Sequence, residues 1–477
     1  MRKLISCLLI SLLLLCCAFP AGAETDSYDC IVQDDGTVMI TRYTGNDAEV
    51  TVPAELDGRR VTAIGASAFQ SNSAVTRVTL SEGIVSLGDS AFKLCSGLEY
   101  VFLPASLTQD GVNPFASCES LQELAIEDGN PNLRFEDGVL YSRDDSRLIY
   151  YSMKNEPGEC KVKAGTRIIG ADAFYECSNI TRVKLPTRKK RQDDAVLLTA
   201  IGRRAFYQCE ELKGINLEDT EISTVGAEAF SGCRKLKTIA FPDKVTSIAE
   251  RAFMDCAGLL ELDLPETITS IGDMAFRNCS RLTSVVLPRG VTTIGKNTFA
   301  GCDEMTEMIL PDGLGYIGGG AFLGCSSLKK LDLPDSVDYI GSEAFSDCYA
   351  LEEITIPEDC SYIGASAFSK CQSLKRLELP DYIYTINPST FFGCTGLEEI
   401  ILPEELEEIG ERAFFCCIGL TEISIPDPVE IIGDYAFSQC VKLEKIGLPE
   451  DLETIGPNTF DAAQLSFLPD LTDMIGK

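Results

Sequence analysis

Cysteine is the residue type whose spacing most clearly suggests chemistry in this chain. Fourteen of the 21 cysteines lie three residues after a phenylalanine of a repeated motif. Many cysteines in a secreted protein usually indicate a disulfide framework, whereas one thiol per repeat at a constant position favours a column of buried, inert side chains. We therefore expect buried free thiols, with scattered disulfides and a metal chain as the alternatives. The fourteen residues are Cys95, Cys118, Cys177, Cys209, Cys233, Cys256, Cys279, Cys302, Cys325, Cys348, Cys371, Cys394, Cys417 and Cys440.

Four further cysteines, Cys30, Cys160, Cys360 and Cys416, lie outside this spacing and are the candidates for exposed or paired thiols. Histidine is absent from the sequence. Its absence removes the Ser-His-Asp and Cys-His catalytic arrangements and the common zinc-ligand mixtures. We expect the protein to use no cofactor.

Carboxylates are plentiful, with 73 acidic residues, so a glycosidase-like pair of acids stays open as an alternative. Many of these acids recur with the repeat, each directly after a proline, which is ordinary turn chemistry. A calcium-binding ladder is another alternative, but one acid per repeat offers fewer oxygen ligands than a dedicated calcium loop. The pattern predicts neither an enzyme nor a metal site. The repeated acids are Asp243, Glu266, Asp312, Asp335, Glu358, Asp381, Glu404, Asp427 and Glu450.

A 23-residue repeat sets the positions of these groups. Its skeleton is LPxxVxxIGxxAFxxCxxLxxLxL, and the spacing is unbroken from Phe230 to Phe460. A period of this length predicts a solenoid, because each repeat buries its apolar face only by stacking one coil on the next. The predicted core includes Phe230, Phe253, Phe276, Phe299, Phe322, Phe345, Phe368, Cys233, Cys256, Cys279, Cys302, Cys325 and Cys348. The sixteen repeat phenylalanines are Phe69, Phe92, Phe115, Phe174, Phe206, Phe230, Phe253, Phe276, Phe299, Phe322, Phe345, Phe368, Phe391, Phe414, Phe437 and Phe460.

Each repeat is expected to contain a short strand. The apolar residues Leu282, Val285 and Leu287 face the core, and Pro288 ends the strand because proline cannot donate to a ladder. Strands of successive coils would pair in parallel. Gly295 is expected to relax the backbone where the chain turns sharply.

This skeleton resembles the BspA-like leucine-rich repeats of bacterial and protist surface and secreted proteins. The opening residues 35–43 and 50–53 resemble the β-rich cap that starts such arrays. The resemblance implies a β-rich leucine-rich-repeat solenoid of about sixteen stacked 23-residue coils with an N-terminal β cap and a projecting hairpin insert. It also implies binding to extracellular matrix, host or neighbouring-cell proteins, but it does not imply a reaction.

The N-terminus indicates export. Arg2 and Lys3 precede the apolar stretch of residues 4–19, which is followed by Ala21-Gly22-Ala23, so residues 1–23 are predicted to be a secretory signal peptide cleaved after Ala23. Cys16 and Cys17 suggest a lipoprotein, but the preceding residue Leu15 is larger than lipoprotein signals prefer. No second apolar stretch is long enough to span a bilayer. We expect a secreted or cell-surface protein without a lipid anchor.

The remaining domain boundaries follow from the repeat. We expect an N-terminal β cap over residues 24–60, the solenoid over residues 61–460 and a C-terminal cap or tail over residues 461–477. The solenoid is interrupted by a hairpin insert at about residues 127–163 and by a basic loop at about residues 187–198.

The charge balance narrows the class of partner. The formal net charge is −32, and removal of Arg2 and Lys3 with the signal peptide leaves 39 basic and 73 acidic residues, or −34. Such a charge repels nucleic acid and anionic lipid. We therefore expect no nucleic-acid partner.

Outward-facing strand positions offer two kinds of surface. In the C-terminal repeats their charge alternates between basic and acidic pairs such as Lys329-Lys330 and Glu352-Glu353, which predicts a solvated face of cross-strand ion pairs. Nearer the N-terminus the outward residues are aromatic or basic, types that are enriched in interfaces. They form a predicted ligand surface together with the hairpin, or are covered by it: Arg77, Tyr100, Phe102, Arg182 and Lys184.

The basic loop carries the only strongly basic run in this acidic sequence: Arg188, Lys189, Lys190 and Arg191. Insertions in solenoids often lie on the binding face, so these residues are a second predicted contact, for an acidic partner or a glycan. The alternative is a solvated loop that is prone to proteolysis.

Taken together, these patterns predict a secreted scaffold for protein recognition or adhesion that performs no catalysis. The alternative is a self-associating structural protein of a surface coat or spacer. A carboxylate-based, glycan-active enzyme is the third possibility, and only the abundance of acids supports it.

Overall fold

The computed structural model describes residues 27–187, 197–449, 452–461 and 463. The chain forms two compact units, residues 1–132 and residues 133–477, and each is described by itself. The described residues form strands and turns and no helix. The predicted signal peptide and the basic run 188–191 lie outside the described residues.

The first unit contains two sheets. Strands β1 and β2 pair antiparallel as a hairpin, and β2 then pairs in parallel with β5. The strand orders are β1-β2-β5-β7-β9, with β4 beside β5, and β10-β8-β6-β3. The strands are β1 Tyr28–Val32, β2 Val38–Tyr43, β3 Glu49–Val52, β4 Glu55–Leu56, β5 Arg59–Ile64, β6 Arg77–Leu80, β7 Ser86–Leu87, β8 Tyr100–Leu103, β9 Gln109–Asp110 and β10 Glu123–Ile126.

The second unit repeats one pairing scheme along its length. Its strands are β11 Leu133–Glu136, β12 Val139–Ser142, β13 Arg147–Tyr151, β14 Gly158–Lys161, β15 Ile168–Ile169, β16 Ile180–Lys184, β17 Ala200–Ile201, β18 Gly214–Ile215, β19 Thr224–Val225, β20 Thr238–Ala240, β21 Ser247–Ile248, β22 Glu261–Asp263, β23 Ser270–Ile271, β24 Ser284–Val286, β25 Thr293–Ile294, β26 Glu307–Ile309, β27 Tyr316–Ile317, β28 Lys330–Asp332, β29 Tyr339–Ile340, β30 Glu353–Thr355, β31 Tyr362–Ile363, β32 Arg376–Glu378, β33 Thr385–Ile386, β34 Glu399–Ile401, β35 Glu408–Ile409, β36 Glu422–Ser424, β37 Ile431–Ile432, β38 Lys445–Gly447 and β39 Thr454–Ile455.

Each regular coil contains two short strands rather than the one that was expected. In the coil after Phe276, the first strand is β24 and the second is β25, separated by a turn at Pro288. Both pair in parallel with the next coil at a shift of one repeat, Ser284 with Glu307 and Thr293 with Tyr316. The predicted solenoid of parallel strands is therefore confirmed.

The third side of each coil is held by backbone hydrogen bonds without a regular strand. The residues two before and two after the repeat phenylalanine have positive φ, as in Arg251 (φ 55°) and Asp255 (φ 60°). Their amides donate to carbonyls of the next coil, from Arg251 to Asp273 at 2.9 Å and from Asp255 to Arg277 at 2.8 Å. A left-handed backbone costs a non-glycine residue about 1–2 kcal/mol, and these inter-coil bonds offset that cost.

The glycine after the second-strand isoleucine has a different role from the one that was expected. Its φ is not in the left-handed region, but a Cβ on Gly341 would lie 2.5 Å from the amide nitrogen of Gly319 and 2.7 Å from the carbonyl carbon of Gly318. The close approach of the preceding coil therefore favours glycine at this position, which Ala249 and Asn387 occupy in two other coils, and the sharp bends lie beside the phenylalanine.

Replacement of Gly341 by alanine is expected to lower the free energy of unfolding by about 1–3 kcal/mol, because the added methyl group overpacks two backbones. The matched control is Gly313→Ala, since a Cβ at Gly313 meets no atom within 4 Å. Urea unfolding followed by circular dichroism compares the two variants. Equal midpoints would contradict the packing role of Gly341.

A continuous stack of aromatic rings fills the interior of each unit. Phe253 and Phe276 are fully buried, with ring centroids 5.5 Å apart and ring planes 3° from parallel. In both units a tyrosine precedes the first repeat phenylalanine of the stack. The ring centroids of Tyr43 and Phe69 are 5.0 Å apart, and those of Tyr151 and Phe174 are 4.9 Å apart. Each unit therefore has one more coil than its phenylalanines indicate.

The expected hairpin is present in the second unit, but it does not project. β11, β12 and β13 pair antiparallel, and β13 then pairs in parallel with β15, so the three strands begin an eight-stranded sheet. The physical reason is burial, because Leu140, Tyr141 and Leu148 are in the core. The arrangement repeats that of β1, β2 and β5, so the second unit starts with its own cap-like hairpin.

The repeated cysteines form a buried column of free thiols. Their sulfur atoms lie within hydrogen-bond distance of the carbonyl oxygen of the stacked aromatic residue of the preceding coil, as in Cys279 with Phe253 at 3.3 Å, Cys209 with Phe174 at 3.0 Å and Cys177 with Tyr151 at 3.7 Å. Each thiol therefore donates a weak hydrogen bond to a buried carbonyl. The column fills space and also links successive coils.

The expectation for the four other cysteines is wrong for two of them. Cys160 and Cys360 are free and buried, whereas Cys30 and Cys416 are partly exposed. Cys160 pairs with the buried Val183 in the ladder, and Cys360 lies one repeat after the buried Val337. Both cysteines therefore take core positions that other coils fill with valine.

Candidate recognition surfaces

Three tyrosines are stacked on the surface of the second unit. Tyr316, Tyr339 and Tyr362 occupy the same position in three successive second strands. Neighbouring ring centroids are 4.7 Å apart in both pairs, and the ring planes deviate from parallel by 12° and 10°. Tyr316 is 40% exposed and Tyr362 is 37% exposed. These residues are called the tyrosine ladder.

The alternation of the strand places the ladder outside. The isoleucine that follows each tyrosine is buried, so the tyrosine side chain lies on the opposite face of the strand. Within the stack the neighbouring rings cover each other's faces, while Tyr316 and Tyr362 keep more than a third of their surface exposed. The pKa of Tyr339 is raised mainly by desolvation and, to a smaller extent, by the neighbouring hydroxyl groups of Tyr316 and Tyr362. Its hydroxyl group is therefore a neutral hydrogen-bond donor at physiological pH.

The second unit also contains a groove of about 1090 Å³, which begins in the coil of Tyr362. It extends over three successive coils, and strands β30 and β32 with their following turns form most of it. Tyr382 and Tyr384 line it and are 53% and 49% exposed. This acidic groove is lined by Glu352, Glu353, Ile354, Thr355, Ile356, Glu358, Asp359, Lys375, Arg376, Leu377, Glu378, Leu379, Pro380, Asp381, Tyr382, Tyr384 and Glu405.

A local departure from the repeat coincides with the groove. Asn387 stands where most other coils have the packing glycine, and its side-chain amide donates to the carbonyl of Ile363 at 2.7 Å. In the preceding coil the backbone amide of Gly364 makes the equivalent bond to Ile340, at 2.8 Å. β31 and β33 belong to different sheets, as do β30 and β32. Sheet breaks also separate β26 from β28 and β34 from β36, and Asn387 is not among the residues that line the groove.

Acidic side chains outnumber basic ones in the groove. Seven of the lining residues are Asp or Glu and two are Lys or Arg, which gives a formal charge of −5. One of the two cations is already engaged, because Arg376 Nε lies 3.5 Å from Glu399 Oε2. This contact is one of the cross-strand ion pairs predicted for the C-terminal repeats. The groove is therefore a concave surface with a strong negative potential.

The structure brings three of the predicted ligand-surface residues together in the first unit. Arg77 on β6 pairs with Tyr100 on β8, and the Arg77 guanidinium carbon lies 4.1 Å from the centre of the Tyr100 ring. Tyr100 and Phe102 are half-buried. Much of the aromatic surface on this patch is thus covered by the chain itself, and its role in binding stays a prediction.

The other predicted residues do not join this cluster within one described unit. Arg182 and Lys184 are exposed on β16 of the second unit, and Lys184 Nζ lies 3.2 Å from Glu159 Oε1 on the neighbouring strand β14. Arg188, Lys189, Lys190 and Arg191 lie outside the described residues. The functional roles of these six residues stay predictions.

The distribution of acids also bears on metal binding. Within the described part of the chain, no group of three or more Cys, Asp or Glu residues is arranged to hold a metal ion. The acids that line the groove are instead spread over three coils.

Comparison with known families identifies the repeat. The family model described as "BspA type Leucine rich repeat region (6 copies)" matches residues 50–138, 150–280, 199–305, 292–387 and 361–471. The chain belongs to this family. Its members are leucine-rich repeat scaffolds, so this BspA-type protein is a protein-interaction scaffold. No curated protein matches the chain by sequence.

Solved structures of bacterial repeat proteins are similar to this BspA-type chain. A leucine-rich cell surface protein from Faecalibacterium prausnitzii A2-165 is 26% identical in sequence and has a TM-score of 0.44. The match covers 80% of this chain and 95% of that protein's chain. A leucine-rich repeat protein from Bacteroides ovatus ATCC 8483 is 23% identical, covers 92% and 91%, and has a TM-score of 0.40. In the described parts of the BspA-type chain, no helix has the length and apolarity needed to cross a membrane.

Proposed function

We propose that this protein is a secreted or cell-surface scaffold that recognises an extracellular protein of the matrix, a host or a neighbouring cell, and that it performs no catalysis. The family supports a role in protein interaction. The basic, apolar and small-residue segments of residues 1–23 support export through a cleaved signal peptide. The high negative charge supports a protein partner over a nucleic acid.

The tyrosine ladder is the observation that carries the proposed binding role. Tyrosine is enriched at interfaces because it offers a large apolar ring together with a polar hydroxyl group. Stacking at 4.7 Å already orders these side chains. Binding therefore costs little additional side-chain entropy, which favours affinity.

Substitution of the ladder by serine, in the triple variant Tyr316→Ser, Tyr339→Ser and Tyr362→Ser, is expected to weaken partner binding at least tenfold. The reason is that truncation of an interface hot spot, a class in which tyrosine is enriched, costs about 2 kcal/mol or more, and about 1.4 kcal/mol equals a factor of ten. The measurement is a pull-down with immobilised mature protein from matrix proteins and cell-surface extracts, followed by titration of the recovered partner.

The matched control is Ile431→Ser, because Ile431 occupies the same strand position in another coil and is 40% exposed. A further comparison is Tyr100→Ala with Phe102→Ala, and another is neutralisation of residues 188–191. If either of these variants lost partner binding while the ladder variant bound the partner normally, the recognition site would lie elsewhere than the ladder.

Self-association is distinguished by sedimentation of the mature protein over a concentration series. A monomer at all concentrations agrees with recognition of a foreign partner. Assemblies that grow with concentration, together with recovery of only the protein itself in the pull-down, would replace the proposal by the structural role.

A further inference from the structure

The chemistry of the acidic groove points to a particular kind of partner. The groove volume of about 1090 Å³ is at the upper end of the range for ligand sites, so several residues of an extended peptide can enter it. Its lining residues come from three successive coils, which cover a distance of about 10 Å at the spacing of paired strands. The concavity therefore suits a segment of chain better than a single side chain.

The two groove tyrosines provide exposed aromatic surface on one side. Ile383 lies between them and is buried, whereas Tyr382 and Tyr384 are both exposed and line the groove. Nothing in the family skeleton requires aromatic residues there, since the position between the strand-ending proline and the buried residue is commonly polar, as in Asp335 and Ser336. Aromatic rings beside carboxylates attract cations, and they attract guanidinium groups most effectively.

The arrangement of charge favours a peptide over a free metal ion. The seven acids are distributed along three coils, and the described residues contain no cluster of three that could hold one metal ion. A chain with several separated cations matches this distribution, whereas calcium needs its oxygen ligands around one point. The charge of the groove also repels acidic peptides and nucleic acid.

We propose that the acidic groove binds an extended Lys/Arg-rich segment of a partner protein, with a guanidinium group packed on Tyr382 or Tyr384 between the flanking carboxylates. This inference rests on the proposed function only in assuming a protein partner. It does not require the tyrosine ladder to be part of the same interface.

The test is fluorescence anisotropy of a labelled nine-residue peptide of alternating arginine and serine, titrated with the full mature protein at low and at physiological ionic strength. Lysine–serine and glutamate–serine peptides are measured in parallel. We expect the arginine peptide to bind most tightly, the lysine peptide to bind at least threefold more weakly, and the glutamate peptide not to bind. Equal binding of the arginine and lysine peptides would overturn the stacking contact.

Variants separate the groove from the general charge of the protein. Glu353→Gln with Glu378→Gln is expected to weaken arginine-peptide binding at least tenfold, and Tyr382→Ala with Tyr384→Ala at least fivefold. The matched control, Glu261→Gln with Asp263→Asn, removes two exposed acids from equivalent positions of β22 and is expected to change binding less than twofold. Equal losses in the groove and control variants would overturn the proposal, as would complete displacement of the peptide by calcium at low concentration.

The outcome is independent of the test of the ladder. Peptide binding that persists in the triple tyrosine variant, in a protein that captures no partner, would contradict the proposed function and leave the groove assignment standing. Capture of a partner protein without any peptide binding would support the proposed function and overturn the assignment of the groove.

Discussion

Replacement of Phe299 by alanine is expected to lower the free energy of unfolding by about 3–5 kcal/mol, the usual cost of removing a buried phenylalanine. Phe299 is fully buried, and its ring lies 5.6 Å from Phe276 and 5.9 Å from Phe322. The substitution leaves a cavity and also interrupts the aromatic contact between three coils. Urea unfolding followed by circular dichroism measures the loss.

A phenylalanine outside the stack provides the control for this experiment. Phe415 is half-buried and stacks on Phe392 at 5.2 Å, beside the main column. Phe415→Ala is expected to cost about 1 kcal/mol, because less apolar area leaves water on folding at that position. Since the stability of a repeat array depends on contacts between neighbouring coils, the Phe299 variant is also expected to broaden the transition. Equal losses in the two variants would show that the central stack does not dominate stability.

Thiol labelling is the second experiment with a large expected effect. Desolvation raises the pKa of the Cys256 thiol, and of Cys325 and Cys394, to about 12. A shift from about 9 to 12 lowers the fraction of reactive thiolate by about a thousandfold at pH 8, and burial adds a steric barrier. The fourteen column cysteines are therefore expected to resist alkylation in the native protein.

The two partly exposed cysteines should react first. Cys416 is expected to be alkylated fastest, followed by Cys30, whose pKa is raised to about 11 by desolvation and by Asp29 and Asp57. A pulse of iodoacetamide followed by peptide mass spectrometry gives the rate for each residue, and the protein unfolded in urea is the control. Reaction of several column cysteines at the rate of Cys416 would contradict the buried column.

The same pKa values set a dependence of stability on pH. A thiol whose pKa is raised in the folded state stabilises the fold fully below the unfolded value near 9. This contribution is lost as the pH rises through the folded value, because the unfolded chain releases its protons first. The column should therefore make the protein sensitive to alkali, with the loss of stability beginning above about pH 9 and continuing toward pH 12.

The regular part of the fold was predictable because one period determines it. Phenylalanine and cysteine recur at fixed offsets, and each needs the next coil to be buried, so the spacing led directly to the solenoid. The first coil of each unit was missed because tyrosine takes the place of phenylalanine. Tyr151 lies 23 residues before Phe174, so the signal was present but was carried by a different residue type.

The candidate surfaces were harder to predict. The ladder has a signal in the sequence, the triplet Tyr-Ile-Gly in three successive repeats ending at Gly318, Gly341 and Gly364. It was missed because only the first strand of each coil was expected. The groove has no such signal, because it is formed by residues of three successive coils, and a one-dimensional pattern does not contain the spacing between coils.

The constant register of the strands has a consequence for how this protein can change over generations. From β19 onward, residues paired between neighbouring coils are one 23-residue repeat apart, as in Thr238 with Glu261 and Lys330 with Glu353. Recombination between two copies therefore removes or adds whole coils and leaves every interior column intact. A length change that is not a whole repeat keeps the stack only where it falls outside the core positions, as between Phe174 and Phe206, which are 32 residues apart and still stack at 4.8 Å. The number of coils is thus free to vary, and with it the distance between two binding surfaces, without any new core having to evolve.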